Sequence, residues 1–504
     1  MQRRRLDARR MRELPEYSAR TRAFGPMGVP DEKASAVFVM DVLQNAIGLL
    51  GRTGMFDHHQ FAAAPSCSSV AVWGGATVEG ELRHARNFDF PGASIWDLAP
   101  AVVFCEPVDG LRYGFVTTRG LDAPGITCFN EAGITLTVHT RFHRDVNYRG
   151  TSVIDLGHEV IRTSRTLDDA IATVRRLGAC STWGLLISSA TERDAVVVET
   201  TGATVEVVRS GDASHLSCTN RYLTPTLQAR EVTTSTAFAI DSDSRWAQLE
   251  EFVAKCSGGI DGDALEELLG DYSAPGVVDR TDGVTRLSGN SVVSPISVAS
   301  IVAEPERSMI RVSVGRAPSG FGPYLQVPWS WDGPVGRVDD EYEVGPTRGR
   351  SHRGELLTDV ERDVAHRLSR VTQRFVDRAE PHEVRAEFED LCHRAPNEPG
   401  FHAMAAFLAI IDDQMTTALD HIDAALALES TPHPRARMLL YRSRVLEVLG
   451  RSSEAAESRS ELAAMTDPLT AHERTAAAKE ATKPMSRRML RLITPDLFNL
   501  DAHH

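Results

Sequence analysis

Cys67 is the residue of this sequence whose surroundings most strongly suggest covalent chemistry. It lies in Ala-Pro-Ser-Cys-Ser-Ser-Val-Ala-Val-Trp, where a loop of small residues enters an apolar run. Arg86 and Asp89 follow nineteen and twenty-two residues later, after a turn at Glu79-Gly80. A thiol attacks carbonyl carbon as its thiolate, and a nearby cation such as Arg86 favours the thiolate because it lowers the thiol pKa.

A cysteine that begins its own polypeptide chain needs no histidine partner. Its α-amino group has a pKa of about 7.7–8.0 and can accept the thiol proton near neutral pH. One residue then supplies both the nucleophile and the base. Asp89 is suited to accept a hydrogen bond from that amine and orient it.

Three further polar residues stand in short motifs that could support this chemistry. Asn130 lies in Phe-Asn-Glu-Ala-Gly-Ile, Asn220 in Thr-Asn-Arg-Tyr, and Arg245 in Asp-Ser-Arg. An asparagine amide can stabilise an oxyanion, and removal of one such donor typically costs about 2.7–4 kcal/mol of transition-state stabilisation. Arginine is the better residue for binding a carboxylate, because its planar group donates two parallel hydrogen bonds.

Each of these residues also has an ordinary structural interpretation. A cysteine at the start of a strand is commonly a small buried hydrophobic residue. Arg86 and Asp89 could form a surface salt bridge worth about 0–1 kcal/mol. The two asparagines could be turn residues that satisfy their own backbone, and Arg245 could be an exposed charge on a helix.

The order and spacing of these motifs resembles the choloylglycine hydrolase and penicillin acyltransferase superfamily of N-terminal-nucleophile (Ntn) hydrolases. In particular it is similar to the autoproteolytic acyltransferases related to isopenicillin N acyltransferase, peptidase family C45. Residues 34–318 carry the resemblance, which includes Trp-Gly-Leu-Leu-Ile followed by Val-Val-Val-Glu as a central hairpin. The resemblance implies a four-layer αββα sandwich, an α+β fold.

The resemblance also implies roles for the site residues. Cys67 would be the nucleophile, Asn130 and Asn220 would contribute to the oxyanion hole, and Arg245 would support the site or hold a substrate carboxylate. Because Cys67 is internal in the encoded chain, the Ser66–Cys67 bond would first be cleaved through an N-to-S acyl shift. Serine at this position departs from the best-known members but is small enough to allow the attack.

The expected reaction is cleavage of a linear amide through a Cys67 acyl-enzyme, without cofactor or metal. Water as the acceptor gives hydrolysis, and an amine gives acyl transfer; the sequence leaves both open. Trp96, Phe142, Tyr148 and Tyr222 are candidate pocket residues from their aromatic character alone.

Histidines offer no comparable pattern. His58 and His59 are adjacent in a polar loop without a cysteine or carboxylate cluster, which is more typical of solvated residues than of a metal site. His139 and His143 have helical spacing but lie at the end of a predicted strand. A histidine-dependent cysteine protease would need an imidazole beside Cys67, and no motif suggests one.

The chain divides into five predicted regions. Residues 1–66 form a pre-segment removed or cleaved on maturation, 67–326 the catalytic domain, 327–352 a linker, 353–466 a helical domain, and 467–504 a tail. Short β-branched runs dominate the second region, with a single long helix predicted over Asp155–Leu177 and further helices over Ser244–Lys255 and Gly262–Leu269. In the pre-segment, Ala34–Gly51 has apolar residues at helical spacing.

The helical domain carries a weak repeat. Ala418 and Ala455 occupy similar places in two helical units, 37 positions apart, a period typical of tetratricopeptide-like repeats. Two units are fewer than a free solenoid needs, so Leu356–Cys392 is expected to add helices to the stack. Such helices could bind a protein partner, form a homo-oligomer or cap the catalytic domain. A non-catalytic repeat protein with an inert Ntn-like domain is the competing function.

Composition limits the remaining possibilities. The 504 residues carry a net charge of −14, which argues against general nucleic-acid binding. No run of 18 apolar residues is present, so a membrane span is not expected. The arginine-rich N-terminus lacks the apolar segment of a secretory signal. Seven dispersed cysteines are typical of reduced thiols, and we therefore expect a cytoplasmic protein that acts on a small-molecule amide or acyl donor.

Overall fold

The structure is a computed structural model. It describes residues 39–52, 65–147, 149–272, 290–329, 331, 346, 348–350 and 355–503. The basic N-terminal arm, the His58-His59 pair and Tyr148 lie outside these residues, so the expectations for them stay predictions.

The first two thirds of the described chain alternate strands with grouped helices. The helices are α1 (Val39–Arg52), α2 (Val153–Thr163), α3 (Leu167–Leu177), α4 (Pro225–Gln228), α5 (Thr236–Cys256) and α6 (Gly262–Leu269). The strands are β1 (Ser66–Val72), β2 (Arg83–Asp89), β3 (Pro100–Cys105), β4 (Tyr113–Thr118), β5 (Thr127–Asn130), β6 (Ile134–Thr140), β7 (Trp183–Ser189), β8 (Asp194–Thr200), β9 (Val205–Arg209), β10 (His215–Cys218), β11 (Ser297–Glu304), β12 (Met309–Ser313) and β13 (Tyr324–Pro328).

These strands form two antiparallel sheets that pack face to face. One has the order β10-β1-β2-β11-β12-β13, and the other runs in sequence from β3 to β9. Apolar side chains of both sheets fill the space between them, with Phe129 and Ile126 meeting Ile301 and Ile310. The central strands are buried on both faces because helices cover the outer surfaces, whereas the edge strands β3, β9 and β13 are partly exposed.

Helices α2 and α3 bury their apolar faces on the seven-stranded sheet, with Val160 and Val174 packing against Leu185 and Val198. Helices α5 and α6 cover the six-stranded sheet. Leu249 of α5 and Val70 of β1 belong to the same hydrophobic cluster. The result is the four-layer αββα sandwich expected from the sequence. That prediction is confirmed.

The single helix predicted over Asp155–Leu177 is wrong in detail, since the segment forms two helices. Helix α2 ends at Thr163, and Thr166 begins α3 with a capping box in which its side chain accepts from the Asp169 backbone and Asp169 accepts from the Thr166 backbone. The reciprocal bonds satisfy backbone donors that a continuous helix would have used internally. The apolar period continues across the break, which explains why it suggested one element.

The predicted linker, residues 327–352, begins within regular structure. Tyr324–Pro328 is the edge strand β13, paired with β12. Farther on, Arg348 donates to Glu266 at 2.7 Å and Arg350 donates to Glu267 at 2.5 Å, so the described residues bind against α6.

The C-terminal third contains seven consecutive helices. They are α7 (Asp359–Val376), α8 (Pro381–Arg394), α9 (Pro399–Ile411), α10 (Met415–Leu428), α11 (Pro432–Val448), α12 (Ser452–Ala464) and α13 (Ala471–Thr482). A short helix α14 (Arg487–Leu490) and a hairpin of β14 (Thr494–Asp496) and β15 (Asp501–His503) follow. The predicted helical character of this region is confirmed; the bounds 353–466 stay a prediction, and helices continue beyond residue 466.

Ala418 and Ala455 are fully buried in α10 and α12, the second helices of two successive hairpins. Their small side chains allow neighbouring helices to approach closely. The tetratricopeptide assignment itself stays a prediction. This region shares a core with the sandwich, in which Tyr272 and Phe321 pack with Leu357 and Leu368.

Helix α1 belongs to the predicted pre-segment and packs on the sandwich. Ile47 packs with Phe142 and Phe238, while Asp41 accepts a hydrogen bond from Trp183 Nε1 at 2.9 Å and Asn45 donates to the Cys180 carbonyl at 2.7 Å. Among the described residues, no helix combines the length and the apolarity needed to cross a bilayer.

Candidate active site

The pairing of β1 with β2 positions the sulfur of Cys67. Cys67 lies opposite Phe88 and Ser69 opposite Arg86, so Arg86 is the diagonal neighbour of Cys67 on the same face of the sheet. A diagonal neighbour is within reach of a long side chain. Arg86 Nη2 lies 2.9 Å from Cys67 Sγ.

Arg86 is buried and is not part of a salt bridge with Asp89. Besides the sulfur, its guanidinium donates to the carbonyl oxygens of Gly125 at 3.0 Å and Val138 at 2.8 Å. Carbonyl oxygens fix the geometry of the guanidinium but do not neutralise it. Its charge is therefore available to the sulfur.

Effects of opposite direction act on the pKa of the Cys67 thiol. Burial raises the pKa of Cys67, the Arg86 guanidinium lowers it, and the Asp89 carboxylate raises it. The net direction is upward, so the thiol is protonated at neutral pH in the intact chain.

Asn220 and Arg245 hold the backbone of Cys67 rather than its side chain. The Cys67 N–H donates to Asn220 Oδ1 at 2.9 Å, and Arg245 Nη1 donates to the Cys67 carbonyl oxygen at 2.8 Å. Arg245 Nη2 also donates to Asn220 Oδ1 at 3.0 Å. Arg245 is completely buried and paired with Asp241, so it is not the exposed helix charge considered as an alternative.

The hydrogen bonds of Asn220 differ from those expected of an oxyanion donor, whose amide nitrogen would be directed at the reacting carbonyl. Its Nδ2 group donates to the Thr140 carbonyl oxygen at 3.1 Å, and its Oδ1 atom faces the Cys67 nitrogen. In the intact chain Asn220 thus orients the nitrogen that would become the α-amine. The oxyanion role remains a prediction for the cleaved form.

Asp89 lies beside the Ser66–Cys67 bond and is completely buried. Its carboxylate accepts from Ser297 Oγ at 2.5 Å and from Ser66 Oγ at 3.3 Å. Burial raises the pKa of Asp89, and the Arg245 guanidinium acts in the opposite direction. The Ser297 contact was not anticipated from sequence, because a serine at the start of a strand carries no recognisable signal.

Asn130 does not join this group, and the oxyanion role expected for it from the sequence stays a prediction. Its Nδ2 donates to the carbonyl oxygens of Ile161 and Ser164, both at 2.8 Å, and its Oδ1 accepts from the backbone of Ala132 and Ile134. The Asn130 oxygen thus stabilises the β5–β6 turn, and its amide nitrogen links this turn to the end of α2. The alternative interpretation as a turn residue describes it.

An apolar cavity of about 220 Å³ opens beside Cys67. Its lining residues are Met40, Pro65, Cys67, Arg86, Phe88, Phe90, Trp96, Leu121, Ala123, Gly125, Ile126, Val138, Thr140, Val153, Ile154 and Trp183. Met40 belongs to α1, so the pre-segment helix forms part of the wall. The aromatic side is built by Phe88, Phe90 and Trp96, whose rings lie 5.2–5.9 Å apart.

Of the aromatic residues suggested from sequence, Trp96 lines this cavity and two others do not. Phe142 packs under α1, and Tyr222 donates its hydroxyl to the Thr200 carbonyl. Phe88 and Phe90 were missed, although they flank Asp89 in the motif that carries Arg86. Alternation along β2 could have indicated that Phe88 shares a face with Arg86.

Histidines near the site are buried and neutral. Burial lowers the pKa of His84 to about 3, and its ring lies between Ser188 and Thr137. The pKa of His139 is also lowered by burial. Within the described ranges, the Cys67 sulfur interacts with the Arg86 guanidinium and the Asp89 backbone, and no imidazole is among its hydrogen-bond partners.

Comparison with known proteins gives one family match. The family model described as acyl-coenzyme A:6-aminopenicillanic acid acyl-transferase matches residues 82–287, about two fifths of the chain. No curated protein is significantly similar in sequence.

Two solved structures illustrate the structural matches. The Caenorhabditis elegans orthologue of N-acylethanolamine-hydrolyzing acid amidase is 14% identical, with 47% of this chain and 93% of that chain covered and a TM-score of 0.32. A variant of the conjugated bile acid hydrolase from Clostridium perfringens is 11% identical, with 58% and 99% covered and a TM-score of 0.35.

Proposed function

Because the sandwich domain belongs to the Ntn-hydrolase superfamily, we propose that this chain is the precursor of a cysteine amide hydrolase or acyltransferase with Cys67 as its nucleophile. One observation carries the proposal. The sulfur of Cys67 lies 2.9 Å from a buried cation, and its nitrogen lies 2.9 Å from a fixed acceptor, Asn220 Oδ1. These are the two atoms that an N-terminal cysteine uses in catalysis, as attacking group and as base.

The first step is cleavage of the Ser66–Cys67 bond. Cys67 Sγ attacks the Ser66 carbonyl carbon, the carbon–sulfur bond forms, the carbon–nitrogen bond breaks, and the thiol proton passes to the departing nitrogen. Water then hydrolyses the thioester and releases the Ser66 carboxylate and the Cys67 thiol. Arg245 supports this step because it holds the carbonyl oxygen and, through Asn220, the nitrogen of Cys67.

The same groups serve turnover once the α-amine exists. Asn220 Oδ1 is placed to accept a hydrogen bond from the amine, which takes the Cys67 proton. The thiolate attacks the substrate amide, and the amine returns the proton to the leaving nitrogen. The acyl-enzyme is then resolved by water or by a second amine.

The cavity beside Cys67 favours an amide with an apolar acyl group. Its walls are aromatic and aliphatic, and its polar contribution near the sulfur comes chiefly from Arg86 and Thr140. Apolar surface of the acyl chain would be removed from water at roughly 25 cal/mol per Å². Met40 makes the pre-segment part of this wall, so we propose that the fragment preceding Cys67 stays bound after cleavage.

The proposal is tested with intact mass and N-terminal sequencing of freshly purified protein, followed by a thiol-directed acyl probe. We expect two associated fragments divided after Ser66, with the probe on Cys67. Cys67→Ala should remain a single chain without label, whereas Cys256→Ala, which changes a partly buried thiol at the end of α5, should behave as the parent protein. Amide hydrolysis by an uncleaved chain, or labelling that survives in Cys67→Ala, contradicts the proposal.

A further inference from the structure

The helical domain brings three potential metal ligands together, outside the cavity at Cys67. They are Cys392 on α8, His402 on α9 and His421 on α10. One ligand atom from each residue lies within 4.8 Å of the others. The residues come from three successive helices, which explains why no short motif indicates them in the sequence.

The distance between the two rings fits coordination of one ion. His402 Nδ1 and His421 Nδ1 are 3.2 Å apart. Two zinc–nitrogen bonds of about 2.0–2.1 Å at a tetrahedral angle place the nitrogens about 3.3 Å apart. A direct hydrogen bond between the rings would give a similar distance, but it assigns no role to the nearby thiol of Cys392.

A carboxylate and a backbone carbonyl, the usual outer partners of metal-bound histidines, lie near the two rings, the carboxylate beyond hydrogen-bond distance. Glu389 Oε1 lies 4.0 Å from Nε2 of His421, the ring nitrogen that faces away from His402. Arg385 holds this carboxylate at 2.6 Å, and the His402 ring interacts with the Pro396 carbonyl. Metal-binding histidines commonly donate their second ring nitrogen to a carboxylate or a backbone carbonyl, which orients the ring.

We propose that Cys392 Sγ, His402 Nδ1 and His421 Nδ1 bind one zinc ion. A thiolate and two imidazoles suit zinc far better than magnesium or calcium, which prefer oxygen ligands. On binding, the zinc–sulfur bond replaces the sulfur–hydrogen bond, and the proton is released to solvent. Water completes the fourth position, since both imidazoles are partly exposed.

The ion ties three helices at one point. Cys392 lies near the end of α8, His402 in the first turns of α9, and His421 within α10. Binding to the folded state alone raises stability with increasing ion concentration. The site therefore stabilises the helical domain and does not depend on the chemistry proposed for Cys67.

The test uses full-length protein freed of metal by a chelator and titrated with Co²⁺, then with Zn²⁺. We expect one equivalent of Co²⁺ to produce a near-ultraviolet thiolate charge-transfer band and intense four-coordinate visible bands, which Zn²⁺ abolishes. Cys392→Ser should lose the charge-transfer band, and His402→Gln and His421→Gln should each weaken Co²⁺ binding by at least about tenfold. His382→Gln, an exposed histidine on α8, is the matched control and should leave the titration unchanged.

Two further measurements distinguish loss of the metal site from loss of the fold and from changes at Cys67. Far-ultraviolet circular dichroism verifies that each variant retains its helices, and Cys67→Ala should keep the cobalt bands. Zn²⁺ should raise the melting temperature of the parent protein but not that of His402→Gln. The proposal fails if the parent protein gives no thiolate–cobalt band, or if the band persists in folded Cys392→Ser.

Discussion

Arg245 lies 2.8 Å from the carbonyl oxygen of Cys67, although 178 residues separate them in sequence. The same guanidinium donates to Asn220 Oδ1, which accepts from the Cys67 nitrogen. Arg245 therefore holds both ends of the Cys67 backbone while Arg86 contacts the sulfur. We therefore expect Arg245 to position the nucleophile and Arg86 to lower the pKa of its thiol.

Replacement of Arg245 should affect folding as well as processing. Arg245→Leu leaves Asp241 buried without its cation, and loss of one partner of a buried pair costs about 3–5 kcal/mol. Denaturant unfolding should measure this loss. Lys255→Met, on the same helix but in an exposed pair with Glu251, should cost no more than about 1 kcal/mol. Equal effects of the two changes would contradict the assigned role.

Arg86 should control the reactivity of the thiol. Since its charge lowers the pKa of Cys67, Arg86→Gln should raise that pKa and move alkylation of Cys67 to higher pH. The rate of Cys67 alkylation against pH, followed by peptide mass spectrometry, measures the shift. Arg193→Gln, at an exposed arginine paired with Glu306, should leave the profile unchanged. An unaltered profile in Arg86→Gln would show that the 2.9 Å contact has no electrostatic effect.

Asn130 should matter for stability and not for chemistry. Asn130→Ala leaves the Ile161 and Ser164 carbonyls without their donor, which costs about 1–3 kcal/mol. Chemical unfolding should detect this loss, whereas the probe-labelling rate of folded protein at Cys67 should change less than about tenfold. A 10²–10³-fold loss of rate, typical of an oxyanion donor, would instead support the oxyanion role that the sequence suggests for Asn130.

Docking of α1 should weaken as pH rises. Burial raises the pKa of Asp41 from 3.8 to about 7, so the folded state favours its protonated form. The stabilising contribution is complete below the unfolded value near pH 4 and is lost as pH rises towards 7. Affinity of the cleaved pre-segment fragment should then fall by up to about tenfold per pH unit across this window.

Asp41→Asn provides the comparison for that pH dependence, because it removes the titration and keeps an oxygen for Trp183 Nε1. Hydrogen exchange of the α1 amides between pH 4 and 7 should show a flattened profile in this variant. Trp183, Val153, Cys180 and Asp155 face the carboxyl group, and Asp155 adds repulsion once Asp41 is ionised. Identical profiles for the parent protein and Asp41→Asn would exclude Asp41 as the source.

Met40 should influence which acyl groups fit. Met40→Ala enlarges the cavity from the pre-segment side and should shift preference towards longer acyl chains. One methylene in an apolar pocket changes kcat/KM by about 10–200-fold. A series of amides with increasing acyl length measures this, with Leu49→Ala, at an exposed residue of α1, as the control. An unchanged length preference in Met40→Ala would mean that the acyl group does not occupy this cavity.

The local pattern determined much of the architecture. Strands β4, β7 and β8 follow from β-branched runs, and α6 begins and ends as the apolar period indicates. The spacing of apolar residues indicates which face of a helix is buried. It does not reveal a break between two helices when the apolar spacing continues from one helix into the next. The separation of α2 from α3 therefore depended on the Thr166 capping box.

The sequence by itself determined the nucleophile candidate and its cation, because Cys67 and Arg86 lie on paired strands that follow each other in the chain. Tertiary structure decided what their distant partners do. Asn130 and Asn220 are both asparagines in turn-like motifs, yet one closes β5–β6 and the other faces the Cys67 nitrogen. Which role each takes depends on the distant elements that pack beside it, the end of α2 for Asn130 and strand β1 for Asn220, and long-range packing leaves no signature in the residues next to either asparagine.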